Sequence, residues 1–227
     1  MLLRVPRFFD QDQLDAIDDA LAAATFVDGG ATAGHVAQAA KTNLQLDRDV
    51  TPTELVEPID RLFVEAVMSN ATICGAMLPR KVVRPRWARY GAGMGYGPHT
   101  DNPVMVEAGL ALRTDASITV FLNPPEDYEG GELLVQSDAG ETRVKLAKGD
   151  AVVYPTGALH AVAEVTSGER RVAVGWLQSM VADPYRRQLL HELDLACRGV
   201  NEKMADSAEA RVLLKTYGNL VRLWSDI

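Results

Sequence analysis

The sequence predicts a mainly β protein with flanking helices: a double-stranded β-helix (jelly roll) core with N-terminal and C-terminal helices. Three observations predict it. Helical periodicity dominates before residue 78, short β-rich runs divided by turn residues fill 78–180, and helical periodicity returns after Pro184. The matching organisation is an N-terminal helical segment packed on the core over 1–77, a jelly-roll domain over 78–180, and a C-terminal helical extension over 181–227.

Asp10 to Ala24 reads as a helix. Asp10 is placed to cap it, Gln13 sits where a capping box needs Glu or Gln, and Leu14, Ile17 and Leu21 form the apolar stripe. The stretch DGGATAGHVAQAAKTNLQL, residues 28 to 46, reads as a loop because of its glycines. His35 in it reads as a surface histidine, and Lys41 and Asn43 either approach a site or anchor the loop. Thr51-Pro52-Thr53-Glu54 is a helix start with cap, early proline and Glu. That helix is expected to run toward Asn70, with Pro58 kinking or restarting it, and with Leu62, Phe63, Ala66 and Val67 on its buried side.

The expected strands are Lys81 to Tyr90, Gly97 to Asp101, Ser117 to Asn123, Gly131 to Gln136, Thr142 to Leu146, Asp150 to Tyr154, His160 to Val165 and Arg170 to Gln178. Asn123-Pro124-Pro125, Asp138-Ala139-Gly140, Lys148-Gly149-Asp150 and Ser167-Gly168 supply turns, and Gly130-Gly131 reads as a tight turn into a strand. Short strands at this spacing without helices between them predict a double-sheet jelly roll. After Asp183-Pro184, Leu189, Leu190, Leu193 and Ala196 make one helical stripe, and a second helix spans about Asp206 to Trp224. These helices are expected outside the barrel or at a homodimer face, with His191 on that surface.

Composition narrows the function. The chain has 227 residues, 47% apolar and 24% charged, enough for one large core. Its net charge of −8 is interspersed, which argues against nucleic acid as a partner. No run approaches a membrane span. The first residues turn acidic too soon for a secretion signal, so a cytoplasmic location is expected. Cys74 and Cys197 lie far apart and read as buried, reduced thiols, and a count of two excludes zinc held through cysteine.

The chemistry centres on His99-Thr100-Asp101. On a β-strand alternate side chains share a face, so His99 and Asp101 are expected to project together. They supply two thirds of a 2-His-1-carboxylate set, which holds Fe(II) and leaves positions open. The pair is a short motif and proves little alone. His160, fifty-nine positions beyond Asp101, is the candidate third ligand, since a jelly roll can return the chain beside its starting strand.

Arg170 changes the odds. It shares a strand face with Val172, Val174 and Trp176, and a charge heading an apolar face needs an anion. A guanidinium fork suits a carboxylate. Iron together with a carboxylate-binding Arg is what 2-oxoglutarate requires. Arg171, on the opposite face, reads as a surface ion-pair partner. Gly91, Gly93, Gly95 and Gly97 resemble a phosphate loop but no helix follows, so they read instead as letting the backbone bend beside the metal. Tyr96 is a candidate for lining the mouth. Two rival classes stand beside the enzyme: a non-catalytic jelly-roll protein binding iron or a small molecule, and a cupin-type dioxygenase without cosubstrate. A Lewis-acid hydrolase would need a general base, and no clear candidate is visible.

The residues DGGATAGHVAQAAKTNLQL, RYGAGMGYGPHTDN, FLNPPEDYEGGELLV and GDAVVYPTGALHAVAEVTSGERRVAVGWLQS together carry a resemblance. Over nearly its whole length the chain resembles the bacterial PKHD-type hydroxylases, within the prolyl-4-hydroxylase-like Fe(II)/2-oxoglutarate dioxygenases. The resemblance implies that His99, Asp101 and His160 are the iron ligands and that Arg170 binds 2-oxoglutarate. The spacing from Arg170 to Trp176 fits that register. It further implies L-ascorbate as a reductant, O2 as co-reactant, and conversion of 2-oxoglutarate to succinate and CO2 coupled to hydroxylation of an organic substrate. That substrate is an amino-acid residue or a small molecule, with an iron-uptake link offered by the resemblance. Several eukaryotic relatives place a Tyr on the strand equivalent to Ser117–Asn123. Phe121 stands nearest here, which leaves Tyr90 and Thr119 as candidates for the second cosubstrate contact and Tyr96, Phe121 and Trp176 as candidate pocket lining.

Overall fold

The computed structural model describes residues 1–30, 41–107 and 109–226; His35 and most of the glycine-marked loop lie outside them. In chain order the elements are β1 (Leu3–Val5), α1 (Gln11–Ala22), β2 (Phe26–Asp28), β3 (Lys41–Thr42), β4 (Leu44–Leu46), α2 (Thr53–Ser69) and α3 (Ala71–Met77). Then come β5 (Pro79–Val82), β6 (Arg86–Tyr90), β7 (Gly95–His99), β8 (Val104–Glu107), β9 (Leu110–Arg113) and β10 (Ala116–Phe121). The remainder are β11 (Tyr128–Gly130), β12 (Leu133–Ser137), β13 (Gly140–Val144), β14 (Ala151–Pro155), β15 (His160–Val162), β16 (Val165–Gly168), β17 (Arg170–Ser179), α4 (Pro184–Lys203) and α5 (Ala208–Trp224).

Two antiparallel sheets form a jelly-roll core. The larger runs β1-β14-β10-β17-β6-β4-β2, with β5 also on β17, and the smaller runs β13-β12-β15-β7-β3. Strand alternation builds two apolar layers. Ile118, Val120, Val153, Ala173 and Leu177 face Ile17, Ile59, Phe63 and Val67 of the N-terminal helices. Their neighbours Phe121, Val152, Tyr154 and Val172 face Leu133, Val135 and Val162 between the sheets. The helices therefore cover the outer face of the large sheet, and its inner face is free to build a site. Near the edge, Asp60 is buried under Trp87, whose indole N–H donates to it at 2.9 Å, while Arg48 holds it at 2.6 and 3.0 Å.

The expected α1 is present, with Asp10 and Gln13 forming the capping box. Several expectations change. The first 77 residues supply helices and also β1 to β4, strands of two or three residues that are too short for a periodic signal. The single strand expected over 81–90 is two, because Pro85 has no N–H for the ladder, although both pieces pair with β17. Helix α2 starts at Thr53 with no side-chain cap and continues through Pro58 to Ser69; Asn70 then caps α3 through its side chain. The run 160–165 divides between β15 in the smaller sheet and β16, which pairs with β11. Hairpin β8–β9 has no counterpart in the sequence reading.

Helices α4 and α5 pack on Leu78 and Val181 beside α3. Among the described residues no helix is long and apolar enough to cross a membrane.

Phe63 is fully buried where α2 meets the large sheet. Phe63→Ala removes that ring from a packed layer and should destabilise the fold by about 3–5 kcal/mol. The check is urea unfolding, where the midpoint should fall while the slope stays constant.

Candidate active site

Strand β7 ends at His99, and β15 begins at His160. The two strands pair so that His99 lies opposite His160. Their ring centroids are 4.2 Å apart. Asp101 sits just past the end of β7, on irregular chain, so strict strand alternation does not place it as the sequence reading assumed. It reaches the same point from there. Its Oδ1 is 3.8 Å from His99 Nε2 and its Oδ2 is 3.6 Å from His160 Nε2. One donor atom from each residue lies within 4.8 Å of the other two, a grouping able to hold a metal ion.

The imidazoles are oriented for that task. His99 Nδ1 lies 2.8 Å from the Gly97 carbonyl and His160 Nδ1 lies 2.8 Å from the Ala158 carbonyl. A carbonyl only accepts, so each Nδ1 carries the hydrogen and donates it. Each Nε2 is then a free lone pair turned toward Asp101. Tyr96 stacks on His99 at 3.5 Å and 19°. The edge of Tyr154 meets His160 with centroids 5.0 Å apart. Burial, aided by the charge of nearby His160, lowers His99 to about pKa 4, so the ring is neutral near pH 7.

Asp101 is fixed from behind. Ser117 donates its hydroxyl to Oδ2 at 2.6 Å, and Ser117 Oγ is 3.2 Å from Thr156 Oγ1. Sequence reasoning missed this serine. Its signal was there: Ser117, Thr119 and Phe121 alternate along β10, giving a polar residue on a strand face that turns inward.

Arg170 is the most buried charge in the neighbourhood, only 1% exposed. Its guanidinium sits 5.0 Å from the Tyr90 ring and 5.5 Å from the Phe121 ring. Its Nε and Nη1 have no hydrogen-bond partner. A buried guanidinium with idle donors is costly unless an anion meets it. Gly131, at φ 69°, permits the arrangement, because a Cβ there would come within 3.0 Å of the Arg170 side chain. Arg171, on the other face, pairs with Asp18 at 3.2 Å, the duller role expected of it.

These groups share one cavity of about 680 Å³. His99, Asp101, His160, Arg170, Tyr90, Thr119, Tyr96 and Trp176 all line it. Phe121 does not: its inward position puts the ring beneath Arg170, where it seats the guanidinium. Lys41 and Asn43 do reach the wall. Burial, followed by the charge of Arg86, lowers Lys41 to about pKa 8. Burial raises the Tyr90 phenol, and burial with the Asp101 charge pushes Tyr96 up to about 12, so both stay protonated donors. The donor set is two imidazoles, one carboxylate and a buried carboxylate-seeking cation. It fits a divalent iron together with a 2-oxo diacid.

Two family models match the chain. One, described as the 2OG-Fe(II) oxygenase superfamily, covers residues 85–178. The other, the PKHD-type hydroxylase C-terminal domain, covers 185–226. A PKHD-type hydroxylase of Caulobacter sp. (strain K31) is 40% identical over 230 residues, covering all of both chains. One of Hyphomonas neptunium is 40% identical over 228 residues, again covering both completely. Among solved structures, the viral collagen prolyl hydroxylase of Paramecium Bursaria Chlorella virus-1, in complex with 2OG, aligns with TM-score 0.52 and 20% identity, over 78% of this chain and 96% of that one. HygX from Streptomyces hygroscopicus, with nickel and 2-oxoglutarate bound, aligns with TM-score 0.54 and 13% identity, over 80% and 84%. At such identities these two structures speak for the fold.

The environment of His99 has a consequence for stability. Unfolded, the ring takes a proton near its ordinary 6.5; folded, only near 4. Between those values the unfolded state binds more protons, so the metal-free protein should lose stability as pH falls from about 6.5 toward 4 and keep it above. Urea unfolding at several pH values checks this. Replacing His99 with Asn should flatten the slope in that window, and an unchanged slope would refute the assignment.

Proposed function

The chain belongs to the PKHD-type hydroxylase family of 2OG-Fe(II) oxygenases, and from that membership we propose that His99, Asp101 and His160 bind its Fe(II) and Arg170 anchors its 2-oxoglutarate. The observation that carries the reading is the buried guanidinium of Arg170, with Nε and Nη1 unpaired, in the same cavity as the two imidazoles and the carboxylate. A protein that merely stored metal would have no use for it, which is what sets the non-catalytic reading aside.

Bound iron and 2-oxoglutarate supply the oxidising chemistry: O2 is consumed, 2-oxoglutarate becomes succinate and CO2, and a C–H bond of the substrate becomes C–OH. The side chains do the rest. Each Nδ1–H, tied to a backbone carbonyl, fixes the ring that presents Nε2 and keeps it in the binding tautomer. Ser117 holds one oxygen of Asp101, leaving Oδ1 the freer ligand atom. Arg170 offers its fork to the far carboxylate of the cosubstrate, and the Tyr90 and Phe121 rings confine the guanidinium in a place where water is scarce. The Tyr90 phenol and the Thr119 hydroxyl, both on the cavity wall, are the groups we assign to the same carboxylate. Leu133, Val162 and Val174 add apolar lining between these polar groups.

The direct test is anaerobic addition of Fe(II) and then 2-oxoglutarate, followed by visible absorbance. A weak charge-transfer band should appear on chelation. His160→Ala should abolish it. Arg170→Ala should leave iron binding nearly intact and weaken 2-oxoglutarate by about 30-fold or more, as expected for stripping one partner from a buried charge pair. Iron binding without a band in the unaltered protein would defeat the cosubstrate assignment.

A second variant probes the support behind the metal. Ser117→Ala deletes only a hydroxyl from a packed position and should lower iron affinity by about 10–100-fold. Competition with a chelator measures it. An affinity within a factor of two of the parent would mean that Asp101 does not depend on Ser117.

A further inference from the structure

The inner wall of the large sheet carries a second guanidinium that the iron and 2-oxoglutarate reading does not use. Arg86 begins β6, on the same strand face as Ala88 and Tyr90, and it lines the cavity. In the β6–β17 ladder Tyr90 pairs with Arg170 and Arg86 pairs with Val174. The two arginines thus mark opposite ends of one wall, four residues or roughly 13 Å apart along the strand. A five-carbon diacid held at Arg170 and chelating at the His pair does not extend to Arg86.

Arg86 differs from the other cations around it. Arg48 is committed to Asp60, and Arg84 is bonded to Glu107. Arg86 is exposed, and among the described residues it makes no hydrogen bond or ion pair; its guanidinium only overlies the Trp176 ring at 6.0 Å. The undescribed stretch 31–40 reads ATAGHVAQAA and contains no Asp or Glu that could neutralise it. Lys41, largely buried, lines the same cavity within range of the Arg86 charge, so two cations share it. Apolar surface lies beside Arg86. Trp176 packs with Val83, Met105 and Leu112, and Val104 and Val106 are 53% and 71% exposed where hairpin β8–β9 borders the opening.

We propose that the substrate is an organic anion whose carboxylate is bound by Arg86 at the cavity mouth while an apolar arm lies against Trp176. This rests on the reading of the inner cavity as the iron and 2-oxoglutarate site, since it takes the outer end to be where the substrate enters. The forked guanidinium supplies two parallel hydrogen bonds to a carboxylate, and Lys41 adds positive charge beside it. Trp176 and the valines desolvate the arm and hold it facing the imidazole pair.

The test uses the Fe(II) and 2-oxoglutarate-loaded enzyme under anaerobic conditions, with 3-phenylpropionate and its uncharged twin 3-phenylpropionamide as probes in titration calorimetry. The carboxylate should bind at least tenfold more tightly than the amide. Arg86→Gln should erase that preference, Arg86→Lys should restore part of it, and Arg84→Gln should leave it intact. The proposal is overturned if the two probes bind equally, if the preference survives in Arg86→Gln, or if the charge-transfer band fades as the probe binds, since the probe would then have displaced the cosubstrate at Arg170. Absence of the band before any probe is added would instead count against the iron and cosubstrate reading. The carboxylate preference and its loss in Arg86→Gln would still be read on that protein.

Discussion

The register between β7 and β15 is the constraint on which the site depends. His99 and His160 come from runs separated by most of the barrel, and they meet because those strands pair with the histidines opposite each other. Side chains alternate along a strand, so a slip of one residue would send one imidazole to the wrong face. The register is held from both sides. Strand β15 is paired with β12, where Val135 lies opposite His160, and β3 pairs with β7 at Tyr96 and Gly95. Thr42 reinforces that edge by donating to the Gly95 carbonyl and accepting from its N–H. The apolar layer between the sheets therefore sets the geometry of the two imidazoles as well as stability.

A second constraint is electrostatic. The inner face of the large sheet holds Ser117, Thr119 and Arg170 among valines and aromatic rings. Ser117 is satisfied through Asp101, whereas Arg170 keeps two donors idle. A fold that keeps buried donors of a charged group unpaired gives up stability unless something arrives to meet them. The helices on the outer face, with Phe63 and Ile17 at their centre, supply packing that tolerates this local strain. Stability on one face of the sheet and binding capacity on the other are carried by alternate residues of the same strands.

Much of this was legible in the sequence, and the parts that were not have physical reasons. The helix at Asp10 was readable because its cap and its stripe are local. Arg170 was readable because a charge at the head of Val172, Val174 and Trp176 breaks a pattern visible within ten residues. Asp101 was placed correctly by a partly wrong argument: the strand stops at His99, and the carboxylate is aimed by Ser117, a contact between residues 16 positions apart. The short strands β1 to β4 owe their existence to partners across the barrel, so no local pattern announces them. Phe121 was a candidate for lining the pocket, yet alternation alone could not say that it would sit under a guanidinium instead of facing the cavity.

The distribution of charge joins these levels. The chain carries a net charge of −8, yet Lys41, Arg84, Arg86 and Arg170 line the one cavity that holds the imidazole pair. An acidic exterior repels small anions in general, and a cationic cleft with low-dielectric walls concentrates them where field lines converge. The cosubstrate is itself a dianion, so this polarity serves its entry first. With 2-oxoglutarate at the inner end, as proposed, its far carboxylate would offset Arg170, and Arg86 would remain four residues further along β6. The same wall can then accept a second, singly charged acid without the two competing for one cation. The two arginines stand at different positions along the β6–β17 ladder, so two carboxylates need not share one cation.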